Sequence, residues 1–119
     1  MEPRPTGPNI ITAYGGGGFR ISGERHEGSL ILLPTQIIPW TAITLDQLTR
    51  DQFAPLADEM DILLIGCGAR FDKSPKTTIE KLSGLGFSVD VMDTGAACRT
   101  YNVLVGEDRP IATALIAIE

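Results

Sequence analysis

Ile62-Leu63-Leu64-Ile65 is an unbroken apolar run that stops at Gly66. A strand with one wet face alternates polar and apolar residues, whereas a strand without alternation needs apolar cover on both faces. The run therefore predicts an inner strand of a largely parallel sheet, and the rest of the chain has to supply a packing layer above and below it. Ile111 to Ile118 repeats the signal: Ile111, Leu115 and Ala117 fall on one face, and Ala112, Ala114, Ile116 and Ile118 on the other. This last strand is also expected inside the sheet.

Helix signals alternate with these strands. Thr49 with Gln52 has the capping-box form, and Phe53, Leu56, Ala57 and Met60 follow at helical spacing, which predicts a helix over 49–59. Ser74-Pro75 is a favoured helix start, Ile79, Leu82 and Leu85 form a stripe, and Gly86 is a stop, which predicts a helix over 75–85. Phe87 to Met92 reads as a strand. Thr94 is the candidate cap of a third helix carrying Ala97, Cys98, Tyr101, Leu104 and Val105 on its apolar stripe and ending at Gly106. The order α-β-α-β-α-β implies right-handed crossovers and an α/β fold.

The first half reads as added β-structure. Phe19 to Ile21 and Ser29 to Leu33 are predicted to pair as a hairpin around a turn at Gly23 to Gly28, with the glycine run Gly15 to Gly18 as a bent approach. Ile37, Ile38 and Trp40 form a short strand interrupted by Pro39. Residues 1–9 carry three prolines and read as a flexible arm, leaving 10–119 as a single α/β domain of ordinary size.

Ten basic against fifteen acidic residues give a net charge of −5. That balance argues against non-specific binding to nucleic acid or to an anionic membrane, both of which need a basic footprint. No apolar run is long enough to span a bilayer, so no membrane insertion is expected. The opening MEPRPTGPN reads as no targeting segment, and the two cysteines, Cys67 and Cys98, are expected to be reduced thiols in a bacterial cytoplasm.

Open α/β sheets bind ligands beyond the carboxyl ends of their strands. Two loops leave such ends, Gly66-Cys67-Gly68-Ala69-Arg70 and Asp93-Thr94-Gly95-Ala96, and their strands are expected to be neighbours. Gly66, Cys67, Gly68, Arg70, Thr94, Gly95 and Arg99 are accordingly the candidate lining of a ligand crevice. Two accounts compete for it. In the first, free N–H groups at the third helix and the Arg99 fork hold an anion. In the second, Thr94 satisfies those donors and Arg99 pairs with Glu107 or Asp93.

A dinucleotide site is disfavoured, because Phe71 stands where the third glycine belongs and the helix starts only near Pro75. Cys67, between two glycines, is a candidate accessible thiol. Cys98 reads as a small buried hydrophobe. His26, in the predicted turn, is expected to be exposed and inert. Asp46, Asp51, Asp58, Glu59 and Asp61 read as a solvated face. No zinc set and no Gly-x-Ser-x-Gly elbow is present, so neither catalytic residues nor a cofactor is assigned.

The stretch from Ile62 onward resembles the family of domains of unknown function that includes mitochondrial complex I assembly factor 3. The pattern is an apolar strand ending in Gly-x-Gly, a second strand, Thr, and a helix with Ala-x-x-Thr-Tyr/Phe-Asn-x-Leu, followed by an acidic residue, Arg and an apolar strand. Here these are Gly66, Gly68, Thr94, Ala97, Thr100, Tyr101, Asn102, Leu104, Glu107 and Arg109; Gly18-Phe19, Gly28-Ser29 and Trp40 match earlier elements. The resemblance implies a three-layer fold with a mixed, mostly parallel sheet, the last strand being a candidate for antiparallel pairing, and an extra β-hairpin layer on one side. It also implies an interaction protein, more accessory factor than enzyme, with assembly components of a respiratory complex as partners. Trp40 is then a candidate contact or, alternatively, a core residue. The polar Arg99, Thr100 and Asn102 call for a network tying the third helix to the final strand, or for a ligand. The competing functional reading is a small-molecule or anion-binding protein that uses the crevice.

Overall fold

The computed structural model describes residues 7–71 and 75–119; Ser74, the expected helix cap, lies outside them. Five strands form the central sheet: β4 (Leu30–Leu33), β5 (Gln36–Pro39), β6 (Ile62–Gly66), β7 (Ser88–Met92) and β8 (Ile111–Leu115), in the order β5-β4-β8-β6-β7. β8 is central and wholly buried, as its two apolar faces require. It runs parallel to β6, which runs parallel to β7, while β4 is antiparallel to both β8 and β5. Four strands thus point one way and β4 alone is reversed. The last strand is antiparallel only towards β4.

Strand periodicity splits the core in two. Ile31, Leu33, Leu63, Ile65, Ala112 and Ala114 face a layer supplied by Phe53, Leu56 and Leu82. Leu30, Leu32, Leu64, Ile111 and Leu115 face α3 (Thr94–Gly106) and a second, smaller sheet, through Ala97, Tyr101, Val105, Phe19 and Ile21. The one polar side chain in the middle of the sheet, Thr113, is fully buried and donates its hydroxyl to the Leu64 carbonyl at 3.1 Å. The three-layer mixed sheet with extra β-structure on one side is the expected architecture.

The extra layer differs in its wiring. It has three strands, β1 (Ile11–Gly15), β2 (Gly18–Ile21) and β3 (Glu24–Glu27), paired antiparallel in that order. The glycine run is a hairpin turn: Gly15 pairs with Gly18, and Gly16 and Gly17 take φ of +62° and +84°, the two positive values a two-residue turn of the right twist demands. The segment expected as a turn holds β3, so His26 sits on a strand opposite Phe19. β2 does not pair with β4, which joins the central sheet because all four of its residues are apolar and need cover on both faces.

Local rules also meet tertiary limits in the helices. Thr49 caps α1 (Arg50–Phe53) as expected, with the Gln52 side chain accepting from the Thr49 N–H at 2.9 Å. The helix is α only over Arg50–Phe53 and continues as 3-10 turns over Ala54–Glu59. Pro55 is the reason, since it has no N–H to give to the preceding turn. α2 spans Lys76–Lys81, shorter than 75–85, and Gly84 at φ +81° turns the chain away before Gly86. Arg50 donates to the Lys81 and Ser83 carbonyls at 3.2 and 2.6 Å, satisfying acceptors left open where α2 ends. Trp40 is a core residue: it meets Phe53 edge-on at 6.1 Å, and its indole N–H donates to Gln52 Oε1.

Leu64→Ala, in the middle of the two-faced strand, is expected to lower unfolding free energy by about 2–5 kcal/mol, whereas Ser88→Ala on the exposed edge shifts it by less than about 0.5 kcal/mol. Urea denaturation of both variants checks the assignment.

Candidate functional site

β6 and β7 are neighbours, so the loops that leave their carboxyl ends meet. The meeting point is Thr94. Its N–H donates to the Gly68 carbonyl at 2.8 Å. Its hydroxyl accepts from the Gly68 N–H at 3.0 Å and donates to the Ile116 carbonyl at 2.7 Å. The Gly66 carbonyl accepts from the Ile116 N–H at 2.9 Å. One buried hydroxyl therefore joins the end of β6, the start of α3 and the end of β8. Gly66 is required by the approach itself: a Cβ there would lie 2.9 Å from Thr94 Cα.

Thr94 is consequently not the cap of α3. Asp93 is, its carboxylate accepting from the Ala96 N–H at 2.8 Å. Asp and Thr stand side by side and both are cap formers, and only the tertiary demand on the Thr hydroxyl separates them.

The seven crevice residues divide between two sides of the sheet. Gly66, Gly68 and Thr94 form the bonded junction. Cys67 and Arg70 line a cavity of about 280 Å³ with Ile43, Thr44, Leu45 and Asp46, and the Cys67 thiol donates to the Arg70 carbonyl at 3.1 Å. Arg99 lines a different cavity, of about 290 Å³, with Cys98, Asn102 and the β1 residues Ile11 to Tyr14. Gly95 lies beneath Tyr14, whose hydroxyl would be 2.6 Å from a Cβ at that position. Arg99 donates to the Tyr14 hydroxyl at 3.3 Å rather than to Glu107 or Asp93.

The polar helix motif ties α3 to the first strand rather than the last. The Asn102 amide donates to the Ile11 carbonyl at 2.8 Å and accepts from the Ile11 N–H at 2.9 Å. The Tyr101 hydroxyl donates to the Asn9 carbonyl at 2.9 Å, and Asn9 in turn donates its N–H to Pro34 and its amide to Leu33. Asn9, expected in the arm, is thus anchored on both sides. Thr100 is half-buried, and Glu107 and Arg109 are exposed where the chain leaves α3. His26 is half-buried, and its Nε2 is shielded without a hydrogen-bond partner. Tyr14 and Asn9 were not legible as site residues, because their partners stand 85 and 92 positions away.

Burial pushes the Cys98 thiol up to about 12, with Arg99 pulling it down more weakly and Asp93 adding to the rise. Burial likewise holds the Tyr101 phenol well above its ordinary range. Cys98 is therefore a neutral hydrophobe at physiological pH and a poor nucleophile.

These features define a three-layer α/β domain whose strand ends are bonded to each other and whose last helix is strapped to an edge strand. The chain belongs to the DUF498/DUF598 family of proteins of unknown function, whose model matches residues 11–116. It is 38% identical over 115 residues to an uncharacterized protein of Rhodobacter capsulatus, covering 97% of this chain and 90% of that protein. It is 32% identical over 121 residues to NADH dehydrogenase (ubiquinone) 1 alpha subcomplex assembly factor 3 of Danio rerio, covering 98% of this chain and 68% of that protein. With the human protein of the same name the identity is 32% over 109 residues, and the match spans 59% of its length. Among solved structures, a protein of Bartonella henselae described as an outer membrane protein superposes with a TM-score of 0.84 at 37% identity, covering 95% of this chain and 98% of the other. The fold is Mth938-like: a Bordetella pertussis domain so described superposes with a TM-score of 0.78 over 98% of this chain and 90% of that one, at 24% identity.

Two outcomes test the site chemistry. Thr94→Val keeps the shape but strands the Gly68 N–H and the Ile116 carbonyl, and is expected to cost about 2–5 kcal/mol, with Thr94→Ser costing clearly less; urea titration measures both. Because the folded thiol and phenol bind their protons more tightly than the unfolded ones, their contribution to stability is fully present below the unfolded Cys value of 9.0 and is lost as pH rises from there towards about 12. Cys98→Ala is expected to flatten the first part of that fall in a melting-temperature series, leaving the later part to Tyr101.

Proposed function

We propose that this protein is a non-enzymatic accessory factor that binds protein partners during assembly of a respiratory NADH dehydrogenase complex, working in a bacterial cytoplasm. The observation that carries the reading is the likeness to assembly factor 3, which extends over 98% of this chain at 32% identity and so takes in every layer of the fold. The internal geometry supports it. Thr94, Tyr101 and Asn102 spend their hydrogen-bonding capacity on Gly68, Ile116, Asn9 and Ile11, so these polar residues serve architecture and leave the outer surface for contact. Among the described residues no helix is long and apolar enough to cross a membrane, consistent with a factor that visits a membrane complex from outside.

Deletion of the gene in the native cell is expected to lower assembled NADH:ubiquinone oxidoreductase several-fold on native gels. A tagged chain is expected to retain subunits or assembly components of that complex. An unchanged amount of assembled complex in the deletion strain would sink the proposal.

A further inference from the structure

Among the described residues, β1 pairs with β2 along one edge and with no strand along the other. Unpaired edges invite added strands. At Ile11 that edge is closed by Asn102, whose side-chain amide both donates and accepts as a neighbouring strand would. Beyond Ile11 the surrogate ends. From Thr12 to Tyr14 the edge borders a groove of about 290 Å³, with Cys98 and Arg99 on its α3 side. Directly opposed residues of an antiparallel pair alternate between bonding each other and turning their backbone groups outward. With the Gly15–Gly18 pair closing the turn, the Tyr14–Phe19 pair is the outward one, which aims the Tyr14 N–H and carbonyl into the groove.

Thr12, Ala13 and Tyr14 on the strand side of the groove are open to solvent. Tyr14, which offers its ring there, is 41% exposed. The charge is one-signed. Among the described residues lining the groove only Arg99 is charged, and it gives one N–H to the Tyr14 hydroxyl at 3.3 Å. The remaining guanidinium fork is suited to a carboxylate. In a chain of net charge −5, a cation with no acidic side chain in its own cavity is complementary to an anion brought from elsewhere. The Cys98 thiol, held protonated by burial, keeps the floor neutral.

We propose that the β1–α3 groove is a docking site for an extended acidic segment of a protein partner, which adds alongside β1 at Tyr14, sets an aspartate or glutamate on Arg99 and lays an apolar neighbour against the Tyr14 ring. The mode is strand addition, with main-chain bonds giving affinity and Arg99 giving the choice of segment. It rests on the reading above that this protein works by binding proteins.

The test is selection of random linear peptides displayed on phage against the full chain, followed by titration of an enriched peptide with wild-type protein and variants. Enriched peptides are expected to combine an acidic residue with an adjacent apolar one. Arg99→Glu is expected to weaken their binding about tenfold or more, as loss of an interface arginine anchor does. Replacing the peptide acid by lysine is expected to restore binding to Arg99→Glu. Unchanged melting temperatures for Arg99→Glu keep a loss of binding distinct from a loss of fold. No enrichment, or enriched peptides indifferent to Arg99→Glu, would overturn the groove. So would displacement of the peptide by benzoate at equal concentration, which would assign the cavity to a small anion. Normal complex assembly in cells carrying Arg99→Glu, beside failed assembly in the deletion strain, would reject the groove and leave the assembly role standing.

Discussion

The Thr94 hydroxyl is the point on which the strand ends depend. It receives the Gly68 N–H and gives its proton to the Ile116 carbonyl, and the backbone of the same residue completes the tie to Gly68. All of this is buried, where an unmade hydrogen bond is costly and a made one is electrostatically strong. A parallel sheet must hand its chain from strand ends to helix starts at this edge, and every loop there carries backbone groups that need partners. Here the fold supplies those partners itself, which converts the place where such folds usually hold ligands into a joint.

A second tie works across the layers. Asn102 and Tyr101 stand on α3, and their targets, Ile11 and Asn9, belong to the first described residues of the chain. Through Asn9 the same connection reaches Leu33 and Pro34 at the end of β4. The small sheet is thereby fixed to the helix that packs on the main sheet, and Phe19 and Ile21 complete the core beneath it. The cost of ordering so many distant groups is met by burial on both sheet faces, since single hydrogen bonds contribute only about 1 kcal/mol each.

The helix motif by which the family can be recognised therefore has a physical meaning. Tyr101 and Asn102 are polar because a strand arriving from the far end of the chain needs backbone partners, and Arg99 is polar because it stands at the open end of that same junction. One side of the motif is spent on architecture and the other faces solvent.

Most of the architecture was legible in the sequence. The unbroken run 62–65 and the two-faced stretch 111–118 required inner strands, and Thr49-Gln52 required a helix start, because these signals act over a few residues. The sequence could not show that β4 joins the central sheet, that Gly15 to Gly18 is a turn behind an unrecognised strand, or that Asp93 rather than Thr94 caps α3. Each of these depends on a partner far along the chain, and local propensity is blind to pairing choices made by burial. The crevice shows the same division. The sequence placed Gly66, Gly68 and Thr94 together, because adjacent parallel strands bring their ends together; only the tertiary structure set Cys67 and Arg70 apart from Arg99 and brought Tyr14 over Gly95, because which face a loop residue takes is decided by the layer that packs against it.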